Sequence, residues 1–448
     1  MTFRQKCVKH LVILGVLLII IQVLLSSNFT HVKTVYNNFT FSGVQIVVDN
    51  VDTNGTTTTS KGIHHHIGHE GHNGFELAAS AHNVCVANKI SSSGAMKTIH
   101  AIPGKRLLYC PMEKIGTTFW RRVFHMLVAS DRAKYKQPYD VPIHIALGQA
   151  KRFTQTISSA KSGNLLTQSA FSFLFVRNPY SRLLSAFIDK LVPPNPTFWK
   201  GFGLRAIAQY RPKDAKVPNA GKSSTHGGHD VTFAEFVKFV VNAEKTGKGI
   251  DPHIVSINKG CKPCTYNYKF IGRMESFKDD AFFIMQKLDM NRTITIMETS
   301  FSDYTLDDAI TDSIRSPFQW KKEIVKYISW EKALHRIWLK LQMRGIVQTN
   351  INLNIAKGHF DSVNVNQFIE MARKAHRESD PVELKKQKDM VKKEAFATVP
   401  LSDIKAFSQA FKPDFDLFGY DPMPAYIFNR SSSEPQEPTR FFNYTHLN

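Results

Sequence analysis

Phe171-Ser-Phe-Leu-Phe-Val176, followed at once by Arg177-Asn178-Pro179-Tyr180-Ser181-Arg182-Leu183-Leu184-Ser185, decides the fold class. The first six residues are almost continuously apolar, as expected of a parallel strand covered on both faces. The period then changes. Tyr180, Leu183, Leu184, Phe187, Ile188 and Leu191 recur at helical spacing, and Pro179 suits a first helical turn. A buried strand running straight into an amphipathic helix is the unit of an α/β fold. Arg177 stands at the carboxyl end of the strand, where open α/β sheets bind ligands. Ser185 lies about two turns into the helix, placed to share one phosphate with Arg177 across the junction.

Upstream, the same logic repeats. Arg106-Leu-Leu-Tyr-Cys110 is a short strand candidate, and Thr117 to Val128 puts Phe119, Trp120, Val123, Phe124 and Leu127 on one helical face. Between them runs Pro111-Met-Glu-Lys114-Ile-Gly116-Thr117-Thr118. Gly116 permits close backbone approach, and the amides after it open a helix, where anions bind. Thr117 and Thr118 add hydroxyls, and Lys114 can reach a phosphate oxygen. The turn is P-loop-like, yet its lysine precedes the glycine, which argues against an ATPase or GTPase.

Downstream, residues 193–230 are rich in Pro, Gly and Lys and read as a long loop, with Arg205, Arg211, Lys213, Lys216 and Lys222 as candidate contacts to an acidic polymer. Thr232-Phe-Ala-Glu235 is a capping box opening another helix. Later segments predict a helix over 330–344, a charged helix over 382–395 whose lysines face solvent, and an aromatic-rich segment ending at Tyr420. These patterns delimit an α/β body over residues 101–424, with a central parallel sheet, and a free tail over 425–448. Residues 28–100 read as a low-complexity stem that contains a histidine-rich run, Gly62-Ile-His-His-His-Ile-Gly-His-Glu-Gly-His72.

The N-terminus sets the compartment. Arg4, Lys6 and Lys9 precede residues 11–25, apolar apart from Gln22. A basic flank on this side keeps the first ten residues cytosolic and makes 11–27 a signal-anchor helix, short but suited to thin early secretory membranes. The rival is a cleaved signal peptide, although no clean cleavage site stands near Ser27. Either way the body enters the secretory lumen. Sequons at Asn28, Asn38, Asn54, Asn291, Asn429 and Asn443 agree with that. Of the 5 cysteines, Cys7 lies before the anchor. Cys85, Cys110, Cys261 and Cys264 allow three disulfide pairings. Cys261-Lys-Pro-Cys264 lacks the second pair of a zinc ribbon, so a structural disulfide role is expected in preference to redox or metal chemistry.

Composition bounds the remaining choices. With 42% hydrophobic residues and 33 Phe among 448, the chain has material for a large core, which excludes full-length disorder. The net charge of +21 calls for an anionic partner. A luminal location removes nucleic acid from the candidates and leaves acidic glycans, phosphates and sulfates.

Taken together, the two strand–turn–helix segments resemble the paired nucleotide motifs of membrane-anchored Golgi carbohydrate sulfotransferases, closest to the chondroitin and dermatan 4-O-sulfotransferase branch, with heparan 2-O-sulfotransferases more distant. Lys114, Gly116, Thr117, Thr118 and Trp120 match the first motif. Arg177 through Phe187 match the second, an Arg-x-Pro-x-x-Arg-Leu-x-Ser-Ala-Phe pattern. Asp251-Pro-His253, Cys261-Lys-Pro-Cys264, Tyr268-Lys-Phe-Ile-Gly272-Arg-Met-Glu275 and Phe411-Lys-Pro-Asp414-Phe-Asp-Leu-Phe-Gly419-Tyr420 extend the likeness over about residues 105–422. Ile254, Asn178 and Thr117 depart from residues common in that family.

The resemblance implies a P-loop-like sulfotransferase fold and in-line transfer from 3′-phosphoadenosine 5′-phosphosulfate (PAPS) to a glycosaminoglycan hydroxyl, with no metal. It implies Lys114, Gly116, Thr117 and Thr118 at the 5′-phosphate, Lys114 also at the bridging oxygen, and Arg177 with Ser185 at the 3′-phosphate. A distant branch carries a catalytic histidine in the interval that holds His144, which makes His144 the first candidate base. His253, His125 and Glu113 follow. Two other classes share some of these features: a Golgi glycosyltransferase, for which Asp414-Phe-Asp416 is a formal metal motif, and a non-catalytic glycan-binding membrane protein.

Overall fold

A computed structural model describes residues 73–90, 96–157, 166–212, 227–430, 432–438, 440–443 and 447. The expected cytosolic tail, the anchor, the histidine-rich run and Lys213, Lys216 and Lys222 lie outside them. Among the described residues no helix is long and apolar enough to cross a membrane.

Five strands make one sheet: β1 (Met96–Ile102), β2 (Leu107–Tyr109), β3 (Thr154–Ile157), β4 (Phe171–Val176) and β5 (Phe270–Arg273), in the order β3-β1-β2-β4-β5. β2, β4 and β5 run parallel, with Tyr109 opposite Phe173 and Phe173 opposite Phe270. β1 is antiparallel to both β2 and β3. The expected parallel sheet therefore holds for β2, β4 and β5 and is corrected at the other edge, where β1 pairs antiparallel with β2 and β3. The cause is local, because only the short turn Pro103–Lys105 and Arg106 (φ 46°) link β1 to β2. A parallel pair would need a crossover of a dozen residues or more.

The principal helices are α1 (Asn73–Ala87), α2 (Thr117–Val128), α3 (Pro179–Lys190), α4 (Phe233–Thr246), α5 (Phe277–Lys287), α6 (Phe301–Gln319), α7 (Trp330–Met343) and α8 (Pro381–Ala397). Their starts follow side-chain chemistry. The Thr232 hydroxyl accepts from the Glu235 amide in the capping box of α4, and the Asn178 side chain accepts from the Ser181 amide ahead of Pro179 in α3. One apolar core surrounds the sheet and includes Tyr109, Trp120, Phe173 and Phe175. A second joins α3, α4, α7 and α8 through Phe187, Phe236, Ile337 and Val391. Each such fully buried side chain contributes about 1.5–3 kcal/mol. Since α2 belongs to the first core and α3 to the second, the turns that open them meet at the seam.

Three boundaries differ from the sequence reading. Folded structure includes α1 and β1, inside the stretch expected as stem, because Cys85 on α1 bonds to Cys264 and Phe75 packs edge-on against Phe270. The expected free tail packs back: Phe441 and Phe442 are buried, and their amides donate to Glu394. The first part of the expected loop buries Trp199, Phe202, Ala206 and Ile207 in short helical turns, an apolar pattern that the intervening Pro and Lys obscure.

The second disulfide joins Cys110 to Cys261 across 151 residues, so the two cysteines of the CxxC run staple different segments. Cys110 directly follows β2, and its bond holds the Lys114 turn against the helix Ile257–Cys261. Replacing Cys110 and Cys261 together by Ser should lower stability by about 2–5 kcal/mol. Denaturant titration under non-reducing conditions checks this, and an unmoved midpoint would contradict a structural role for the bond.

Candidate active site

Lys114 and Gly116 both take left-handed backbone conformations, at φ 70° and 80°. A Cβ on Gly116 would lie 2.4 Å from the Phe277 ring of α5, so conformation and packing both require glycine there. Lys114 has no such freedom, so its left-handed backbone costs about 1–3 kcal/mol that the surrounding contacts must offset. Gly116 is the cap of α2 and offers no side-chain acceptor to the first-turn amides. The Thr117 hydroxyl donates to the Met112 carbonyl and accepts from none of those amides among the described residues. The positive end of α2 is thus open to an anion. Thr118 is half-buried beside it.

Because β2 and β4 are parallel neighbours, their carboxyl ends bring the two motifs together. Arg177 Nη1 donates to the Lys114 carbonyl at 3.4 Å. Burial pushes the Arg177 guanidinium down, with Glu275 opposing. Glu275 accepts from the Asn178 amide at 3.1 Å and from the Tyr420 hydroxyl at 2.9 Å. Ser185 is half-buried on α3, and its hydroxyl makes no hydrogen bond to protein among the described residues.

Charge around Lys114 is unbalanced. Its Nζ is 2.6 Å from Asp189, which also takes Lys190 at 3.1 Å and Lys340 at 2.8 Å. Three ammonium groups share one carboxylate, leaving net positive charge where an anionic ligand would sit. Burial lowers the Lys114 pKa to about 8, although Asp189 works the other way. The three lysines hold Asp189 well below the usual carboxylate range against the opposing effect of burial. Arg344 adds to the repulsion on both Lys114 and Arg177.

Sequence reasoning does not single out Asp189, Lys340 or Arg344, and it gives no role to Arg182. This last residue is buried and donates to the carbonyls of Glu113, Pro252 and Val255 at 3.1, 2.7 and 2.6 Å. It ties the Lys114 turn to the loop carrying His253. Arg182 is visible in the second motif as an arginine at fixed spacing from Arg177. Lys340 and Arg344 come from α7 and the residue that ends it, more than 150 positions away, where nothing local marks them.

The candidate bases separate by position. His144 is exposed on the short helix Ile143–Gly148, and no interaction joins it to Lys114, Arg177 or Ser185 among the described residues. His125 is buried in the last turn of α2, about 13–14 Å along the helix from Gly116. Burial lowers its pKa, and its Nε2 lies 3.7 Å from Asp131. Glu113 is paired with Arg121 at 2.8 Å. His253 Nδ1 meets Asp251 at 2.6 Å.

Two further candidates have structural duties. Arg211 binds Asp230 and Glu235 at 2.5 and 2.7 Å, which anchors the start of α4 and removes it from an acceptor surface. Buried Asp414 accepts from the Ile257 and Asn258 amides, while Asp416 pairs with Lys412. The DxD match therefore holds a helix start and an exposed ion pair.

A sequence model of the sulfotransferase family matches residues 98–339, more than half of the chain. The chain belongs to that family. The matched span runs from β1 into α7 and contains the Lys114 and Arg177 turns, Asp189 and His253. Among individual proteins, the chain is similar to carbohydrate sulfotransferase 11 of Mus musculus, 29% identical over 46% of this chain and 57% of that protein. It is also similar to carbohydrate sulfotransferases 8 and 9 of Homo sapiens, at 33% identity over 42% of each chain and 30% over 41% and 39% respectively. The chain thus spans about half the length of the curated relatives it matches. No solved structure matches it.

Proposed function

We propose that this protein is a carbohydrate O-sulfotransferase that moves the sulfuryl group of PAPS, in line, onto a glycosaminoglycan hydroxyl, of chondroitin at the 4-position. The observation that carries this reading is the Lys114 turn: an ammonium group and an uncapped helix start, joined to Arg177 by a hydrogen bond. The names of the relatives support a carbohydrate acceptor. The donor supplies a sulfuryl group already activated on a phosphate. The backbone amides at Gly116, Thr117 and Thr118 hold the 5′-phosphate, with Thr117 acting through its amide because its hydroxyl is committed to Met112. Lys114 neutralises charge developing on the bridging oxygen, and Asp189 keeps it in place. Arg177 and Ser185 hold the 3′-phosphate. The surplus of basic residues attracts an acidic polymer.

Two disulfides suit an oxidising compartment and support a luminal catalytic body behind a single N-terminal anchor in the Golgi membrane. Incubation with radiolabelled PAPS and a panel of chondroitin, dermatan, heparan and desulfated chains tests the reading, with disaccharide analysis to locate the sulfate. Label on the 4-hydroxyl of the hexosamine is expected. Use of a nucleotide sugar with manganese in its place would overturn it. In the same assay Arg177→Ala should raise the KM for PAPS about ten- to a hundredfold, the value of a charged hydrogen bond, with kcat at saturating donor little changed.

A further inference from the structure

The reaction needs a group to take the acceptor proton, and the interactions around Lys114 lead to one histidine. Arg182 donates through one nitrogen to the carbonyl of Glu113, the residue before Lys114, and through the others to Pro252 and Val255, on either side of His253. One buried guanidinium therefore fixes the His253 loop beside the Lys114 turn. A second route runs through side chains. Lys190 Nζ is 3.1 Å from Asp189, the partner of Lys114, and lies 5.1 Å from the centroid of Phe198. The His253 ring meets that same Phe198 edge-on at 5.0 Å.

His253 is itself held in one orientation. Asp251 Oδ1 accepts from the His253 backbone amide at 2.8 Å and contacts Nδ1 at 2.6 Å. A carboxylate accepts only from an N–H, so in the neutral imidazole this contact puts the proton on Nδ1 and leaves the lone pair on Nε2. Nε2 has no protein partner among the described residues. His253 also lines a small cleft with Pro179, Arg182 and Asp414. The charged groups around it include Asp251 at Nδ1, Lys190 on the shared Phe198 ring, and Arg182 and Asp414 along the cleft.

We propose that His253 is the general base, with Asp251 as the residue that positions it. This rests on the sulfotransferase reading above. As the acceptor oxygen forms its bond to sulfur, the hydroxyl proton passes to His253 Nε2. The bond from sulfur to the bridging oxygen breaks, and its electron pair stays on the departing nucleotide phosphate, where Lys114 meets the charge. Asp251 remains ionised throughout and faces the imidazolium that forms. His144, on its exposed helix, takes no part.

The test compares the wild-type protein with His253→Ala, His253→Gln, Asp251→Asn and His144→Ala, measuring turnover, its pH profile and affinity for adenosine 3′,5′-bisphosphate. Both His253 variants should lose about a hundred- to ten-thousandfold in kcat, the usual worth of a general base. Their affinity for the bisphosphate should stay within about twofold of wild type, which also shows that they fold. The acid limb of kcat/KM should vanish in His253→Ala, and added imidazole should restore part of its turnover. Asp251→Asn should lower kcat while leaving bisphosphate affinity unchanged, because the imidazole loses the group that fixes its tautomer and orientation. Turnover of His253→Gln near wild type, or a loss confined to bisphosphate binding, overturns the proposal. So does loss of turnover in His144→Ala while His253→Gln retains it. Absence of transfer by the wild-type protein to any glycan overturns the sulfotransferase reading instead.

Discussion

Lys114→Ala should reduce sulfuryl transfer about a thousandfold while leaving the protein folded. Loss of one preorganised donor at a developing oxyanion costs about a hundred- to a thousandfold, and a full cation in a half-buried site stands at the upper end. The fold should survive because Asp189 keeps Lys190 and Lys340 as partners. The same lysine predicts a pH dependence. Its pKa of about 8 in the free protein means that the cation is present below that value and is lost above it, so kcat/KM for PAPS should fall as pH rises through about 8. Steady-state kinetics across pH, with bisphosphate binding as the control, check both statements. A Lys114→Ala protein with wild-type turnover would remove Lys114 from the reaction.

Asp189→Asn should destabilise the protein by about 3–5 kcal/mol, the cost of leaving buried charge without its partner. Lys340 is only 4% exposed, and with Asn it, Lys114 and Lys190 would face one another with no carboxylate between them. The wild-type Asp189 pKa is depressed in the fold, so its contribution is present at neutral pH and is lost only as pH falls below the ordinary carboxylate range. The Asn variant lacks it at every pH. Without Asp189 the Lys114 pKa should drop further, moving the basic limb of kcat/KM to lower pH. Thermal or denaturant unfolding reads the first effect and the pH–rate profile the second. Bound bisphosphate, itself an anion among these cations, should recover part of the lost stability. An unchanged midpoint would show that the three lysines do not depend on this carboxylate.

Strong local patterns in the sequence reappear in the structure. The switch to helical period after Val176, the capping box at Thr232 and the helical face from Phe119 to Phe124 each report an environment within a few residues of the chain. The antiparallel β1 is hard to read because Met96–Ile102 adjoins a low-complexity stretch, so the turn signal of Pro103-Gly104 has no evident strand before it to join. Packing of the tail is hidden because Phe441 and Phe442 stand among polar residues, and the surface they cover, Glu394 of α8 with Phe187 of α3 and Phe233 of α4, is assembled only in space. Sequence alone does not rank His253 above His144, since both are single histidines near apolar residues. Asp251 and Arg182 distinguish them through contacts made in space.

The sequence by itself determined the α/β class, the strand–turn–helix units and the chemistry at their turns. Each depends on residue type and short-range period, such as glycine at a left-handed turn or arginine at a strand end. Tertiary structure decided what those turns do jointly. Parallel pairing of β2 with β4 sets Lys114 beside Arg177. Folding of α7 against α3 then brings Lys340 to Asp189 and concentrates positive charge at that point. Such charge clustering is a property of distance, and residues 151 positions apart in sequence become neighbours only when the chain is packed.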